Sequence, residues 1–124
     1  MRDLKNNMDA VKSIDPATHN SNQTGTGADL QGYEAAMAIV YSGALTDGTH
    51  TPKLQESDDD SSYTDVAAAD VVGTLANISA NAVQRVGYKG GKRYVRVFVT
   101  SNGSTGAIYG AMMIRGVPHH APVA

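Results

Sequence analysis

The sequence predicts an all-β fold, an antiparallel β-sandwich or jelly roll with an extended N-terminal arm. Three observations carry this expectation. Short runs of alternating apolar and polar residues recur at roughly ten-residue spacing from Tyr33 onward. Thirteen glycines and four prolines, among many Ser, Thr, Asn and Asp residues, supply turns between those runs. No long helical pattern interrupts them.

The chain of 124 residues is long enough for one domain and one core. Its formal charge of −2 provides no bulk field toward nucleic acid or an anionic membrane. Without cysteine, neither a disulfide framework nor a thiolate metal site can form. No apolar run approaches the ~20 residues of a membrane helix. The opening MRDLKNNMDAVKSIDP mixes charges of both signs and lacks the continuous apolar segment of a secretory signal, so synthesis in a cytoplasm is expected. With one Phe and no Trp, the core must come from Val, Ile, Ala, Met and Tyr. Such a core is thin, which favours an oligomer or a supporting partner.

Residues 1–28 read as an arm and linker, and 29–124 as the β domain with a short C-terminal tail. In the arm, Leu4, Met8 and Val11 fit helical spacing, but the Asp15-Pro16 break limits any helix to a few turns. THNSNQTGTGAD is apolar only at Ala28 and reads as loop. From Tyr33, one face of a strand carries Tyr33, Ala35, Met37, Ile39 and Tyr41, the other Glu34, Ala36, Ala38 and Val40. Apolar residues on both faces suit a strand within a sandwich. Asp47-Gly48 turns the chain into a strand over about His50 to Ser57, with Leu54 inward. Val66, Val71, Val72 and Leu75 are core candidates around the next short strand, and AVQRVGY is another. Val95, Val97 and Val99 then alternate with Tyr94, Arg96 and Phe98. Asn102-Gly103 lies between this run and a strand over Ala107 to Gly116, with Ile108, Met112 and Ile114 on one face; Asn-Gly between two alternating runs predicts a hairpin. Pro118 and Pro122 end the sheet.

Two stretches invite chemistry. LQESDDDSSYTDV packs five carboxylates, Glu56, Asp58, Asp59, Asp60 and Asp65, into thirteen residues. A calcium loop started at Asp58 fails, since Tyr63 stands where glycine must make the turn and Ala69 where a bidentate carboxylate belongs. A glycosidase pair needs carboxyls facing each other across a cleft, whereas neighbours on one turn diverge. A charged turn that hydrogen-bonds its own backbone is the expected reading. KGGKRYVR lacks both the first glycine and the Ser/Thr of a phosphate-binding loop. Its Lys89, Lys92, Arg93 and Arg96 can attract an acidic partner, or stand as solvated strand side chains. His119 and His120 are adjacent and point oppositely on an extended segment, so one metal cannot readily take both. No nucleophile-and-base pattern stands out, and the chain is read as non-enzymatic, without cofactor or metal.

Taken in order, Asp29 to Glu34 (DLQGYE), Glu56 to Asp59 with Thr64 to Val66 (ESDD and TDV), and Gly87 to Arg96 (GYKGGKRYVR) resemble motifs of tailed-bacteriophage head cement, or capsid-decoration, proteins. The resemblance covers about residues 29–122; Gly91 and Asp60 are departures confined to turns. It implies a jelly-roll subunit, a homodimer, bound to the outer surface of a virion capsid and clamping joints between major capsid subunits. It implies no catalytic residues. Candidate partner contacts are then Arg2, Leu4 and Met8 in the arm, Asp58, Asp59 and Asp60 in the acidic turn, Lys89, Lys92 and Arg93 in the basic loop, and His119 and His120 in the tail. The partners expected are the major capsid protein and a second copy, with no nucleic acid and no membrane. Competing readings are a tail or head–tail joining component and a carbohydrate-binding virion domain. The second is poorly served by tyrosines scattered over the strands.

Overall fold

A computed structural model describes residues 3–118 of the chain. Ten strands follow in order: β1 (Met8–His19), β2 (Gln23–Thr24), β3 (Ala28–Asp29), β4 (Tyr33–Leu45), β5 (His50–Ser57), β6 (Thr64–Asp65), β7 (Val71–Val72), β8 (Val83–Tyr88), β9 (Tyr94–Ser101) and β10 (Ala107–Pro118). A single 3-10 turn, Ala68–Asp70, precedes β7. The strands make two antiparallel sheets. The first runs β1-β10-β4-β8-β7; the second runs β2-β9-β5-β6, with β3 also paired to β9. The all-β expectation therefore holds, and β5 occupies the span read from the sequence.

One core lies between the inward faces of these sheets. Val95, Val97 and Val99 of β9 and Leu54 of β5 meet Ala38 and Val40 of β4, Val86 of β8, and Ala107, Tyr109, Ala111 and Met113 of β10. Alternation puts the three valines on one face, as their spacing predicts. On β4 the inward face is the smaller one: Ala38 and Val40 are buried, while Met37, Ile39 and Tyr41 lie on the opposite side, half-exposed. On β10, Ile108, Met112 and Ile114 point away from the core. Of the candidates near β7, Val66, Val71 and Leu75 pack against the core, but Val72 is exposed.

Two expectations are corrected. Leu4, Met8 and Val11 lie on no helix, because Met8–His19 is a strand along the edge of the first sheet, paired with β10. Over the described residues, the N-terminal stretch read as an arm is thus built into both sheets: Ser13, Ile14 and Ala28 are buried, and β2 and β3 pair with β9. Between β2 and β3 the ladder on β9 is completed by a side chain, since Ser13 Oγ accepts the Val97 N–H at 3.1 Å while Gly25 N–H donates to Val97 O at 2.9 Å. A Cβ on Gly25 would lie 2.2 Å from Ser13 Oγ, so only glycine lets the chain pass there. Helical spacing misleads because edge pairing and burial of two residues outweigh a weak local pattern.

The second correction concerns Asn102-Gly103. Strands β9 and β10 do not form a hairpin: β9 pairs with β5, β2 and β3, and β10 with β1 and β4. The connection carries the chain from one sheet to the other. Asp47 holds it, its carboxylate accepting the N–H groups of Ser104, Thr105 and Gly106, the last at 2.6 Å. Asn102 Oδ1 accepts the Thr49 N–H at 2.8 Å. The turn chemistry is thus used to bind another loop rather than to close two neighbouring strands.

Two polar clasps tie the layers together. Tyr109 of β10 and Ser101 of β9 share a 2.5 Å hydroxyl hydrogen bond, and Ser101 Oγ lies 2.9 Å from Nδ1 of the fully buried His50. His50 Nε2–H donates to the Asp47 carbonyl at 3.0 Å. For the neutral ring this sets the order: Nδ1 accepts from Ser101, whose oxygen accepts from Tyr109. At the other end, Arg115 of β10 pairs with Asp9 of β1, donates to the Asp29 carbonyl at 2.8 Å and lies over the Tyr33 ring. Replacing Tyr109 by Phe removes one donor from the buried chain and should cost about 1–2 kcal/mol. Met113→Ala should cost about 2–5 kcal/mol through a core cavity. Urea unfolding of both variants checks this ranking.

Candidate functional site

The acidic stretch folds into a turn that satisfies itself. Its five carboxylates each find a partner within the chain. Glu56 accepts the Tyr88 hydroxyl at 2.8 Å, Asp58 meets Lys92 Nζ at 2.8 Å, and Asp65 meets Lys53 and Gln55. Asp59 organises the turn: its Oδ1 accepts the Ser57 hydroxyl and the N–H groups of Ser61 and Ser62, the latter two at 3.0 Å. These donors, the Ser62 N–H foremost, hold its carboxyl below the usual range. Asp60 takes a left-handed conformation, φ 60°, and accepts the Tyr63 hydroxyl. Burial first, and then the bond to Asp60, raise the Tyr63 phenol. Burial likewise pushes Tyr88 up to about 12. Among the described residues no group of three or more His, Asp or Glu side chains could hold a metal ion.

The basic loop after β8 lies beside this turn. Lys92 is held by Asp58, which raises its ammonium pKa, and Arg93 makes a two-pronged bond to Asp29 at 2.9 and 2.8 Å. Arg93 in turn lowers the Asp29 carboxyl. These bridges are exposed, so screening leaves each little stabilising weight. Their effect is geometric: they fix the walls of a cleft of about 760 Å³ between the start of β4 and the Lys89–Arg93 loop. Lys89, Lys92 and Arg93, singled out from the sequence, all line it. Arg96 does not; it faces out from the second sheet, bonded to Gln55 and stacked over Tyr63.

A second surface is apolar. Cross-strand pairing sets Met37 beside Ile114 and Ile39 beside Met112 on the outward side of the first sheet. Tyr41 and Val83 pair farther along, Ala10 lies beside Ile114, and Met8 beside Gly116. Val83 is 71% exposed and Val72 57%. Lys12 and Arg85 are the charged residues interleaved in these rows. The face dips into a hollow of about 290 Å³ bordered by Ala10, Lys12, Pro16, Tyr41 and Met112. An antiparallel sheet with one solvated face ordinarily alternates apolar-in and polar-out. This one is apolar on both sides.

Of the other residues singled out from the sequence, Met8 sits at the margin of this face and Leu4 is exposed just before it. Asp58 meets Lys92 of the basic loop, while Asp59 and Asp60 bond within their own turn. Arg2, His119 and His120 lie outside the described residues. The outward row Met37, Ile39, Met112 and Ile114 is not among the contact residues that the sequence suggests. Its signal was present in the apolar residues on both faces of β4 and β10. Comparison with family models, curated proteins and solved structures finds no match to this chain.

The Asp59 turn yields a pH prediction. Its folded pKa lies below the ordinary 3.8, so its contribution to stability is full above that value and is lost as pH falls through the lower folded value. Asp59→Ala should lower the urea midpoint at neutral pH. The gap from the parent chain should narrow as pH falls below 3.8. Asp58→Ala, which breaks an exposed bridge, should move the midpoint less.

Proposed function

We propose that the chain is a non-enzymatic structural subunit of a virion, a cement or capsid-decoration protein. It binds the outside of a phage head and stabilises contacts between major capsid subunits. The observation that carries this reading is the apolar outward face of the first sheet. Contiguous apolar surface of this kind marks a place where another macromolecule docks. Met37, Ile39, Met112 and Ile114 form its centre, and the hollow between Pro16, Tyr41 and Met112 is a socket for one apolar side chain of the partner. Anchoring side chains that fill such pockets dominate interface energetics. The ordered motifs around Asp29, Glu56 and Gly87 point to the phage shell as that partner. In this reading the fold is a jelly-roll sandwich, and the N-terminal residues leading into Met8 extend the contact.

The chemistry of a shell fits modest sites. A subunit that binds only the assembled lattice shifts the equilibrium toward it by mass action. Repetition over the lattice makes individually weak contacts collectively strong. Neither step needs a reactive group.

Purified protein should add in fixed stoichiometry to expanded, undecorated heads and raise their melting temperature. Ile39→Glu combined with Met112→Glu should abolish that addition while leaving the urea midpoint little changed, because both side chains point away from the core. A particle carrying a dozen copies or fewer would assign the chain to a head–tail joint instead. No binding to heads, and absence from virions, would end the cement reading.

A further inference from the structure

The Asn102-Gly103 pair, which lies in the crossing between the sheets, has a chemistry that the capsid reading leaves unused. Asn102 is the one asparagine in the chain that a glycine follows. Any other following residue would shield its own backbone nitrogen with a side chain; Gly103 leaves that nitrogen sterically accessible. The pair stands just beyond His50 and Ser101, the last rung of the β5–β9 ladder, so strand pairing does not fix it. Both residues are exposed, and the Gly103 N–H has no partner among the described residues.

What the fold adds is a fixed donor. The Thr49 N–H donates to Asn102 Oδ1 at 2.8 Å, which also settles which end of the amide is oxygen. Attack on Cγ by the Gly103 nitrogen drives negative charge onto that same Oδ1. A backbone donor already aimed at a developing oxyanion stabilises it without reorganisation. Asn102 Nδ2, the group that would leave, has no partner among the described residues. The surroundings are tight. Gly48 packs against the Asn102 backbone carbonyl so closely that a Cβ there would overlap it, and a Cβ on Gly103 would lie 2.5 Å from Asp47 Oδ1.

We propose that Asn102 is a self-modification site, at which the Gly103 nitrogen attacks Asn102 Cγ and closes a succinimide ring. The N–Cγ bond forms, the Cγ–Nδ2 bond breaks, and ammonia leaves with the proton of the Gly103 N–H. Water then opens the ring. Opening on the Cγ side leaves an aspartate at this position; opening on the main-chain side leaves an isoaspartate, with one more carbon in the backbone. Either product sets a new negative charge beside the Asp47 carboxylate, which holds the N–H groups of Ser104, Thr105 and Gly106. The isoaspartyl form also lengthens the chain where Asn102 is packed on Gly48, and so draws the loop off its clamp. Modification therefore loosens the junction between the sheets. The inference uses no residue of the apolar face and stands whether or not that face binds a shell.

Purified full chain is incubated in neutral buffer at physiological temperature, then analysed by peptide mapping with mass spectrometry and by enzymatic methyl-labelling of isoaspartate. Conversion of amide to acid should concentrate at Asn102, several-fold ahead of every other asparagine, and yield both product forms. It should run at least as fast in the folded chain as in the chain held in urea, where the Thr49 donor is lost. The aged chain should show a urea midpoint lowered in proportion to its modified fraction. Asn102→Gln, whose longer side chain disfavours ring closure, should keep its own midpoint on ageing. Conversion spread evenly over the asparagines, or faster in urea than in the fold, would overturn the proposal. So would a midpoint that stays constant while Asn102 is converted, or one that falls equally in Asn102→Gln.

Discussion

The Tyr109 hydroxyl belongs to the first sheet, and the Ser101 hydroxyl that meets it belongs to the second. Through Ser101 the contact continues to buried His50 and on to the Asp47 carbonyl, while the Asp47 carboxylate receives the backbone of the loop joining β9 to β10. A buried polar chain of this kind is costly unless every member is satisfied. It is satisfied only when β5, β9 and β10 stand in their observed registers. Shifting any of them by one residue would turn its buried set toward solvent. The facing of the first sheet depends on this chain, because Tyr109 inward means Ile108, Met112 and Ile114 outward.

That facing explains the unusual distribution of bulk. The inward positions of β4 and β10 hold Ala38, Ala107 and Ala111 alongside Val40, Tyr109 and Met113, so the two sheets can approach closely over the three valines of β9. Met37, Ile39, Ile108, Met112 and Ile114 are left outside. Burying a Met or Ile side chain fully is worth about 1.5–3 kcal/mol. Folding of the single chain leaves part of that stabilisation unrealised on the outward face, where a partner can supply it. A thin core and an apolar exterior are thus two consequences of one packing choice.

The charged residues follow a different logic. The acidic turn, conspicuous in the sequence, is neutralised by its neighbours: Asp59 is spent on local backbone, and Asp58 on the loop that also holds Lys89. Exposed ion pairs contribute little to stability. Here they orient two loops around a cleft. The Arg115 cluster closes the core beneath the same end and keeps Tyr33 and Asp29 in place.

The sequence by itself determined the strand content, the span of β5, the inward valines of β9, and the failure of the calcium-loop and phosphate-loop patterns. Each is a local property, set by side-chain alternation or by the chemistry of a few adjacent residues. Tertiary structure decided the rest. Asn102-Gly103 is as compatible with a crossing between sheets as with a hairpin, and bonds from Asp47 and Thr49 select the crossing. Periodicity shows that β4 has two apolar faces, but it cannot say which is buried. That choice depends on what the opposing valines and Tyr109 leave room for, a relation between residues far apart in the chain.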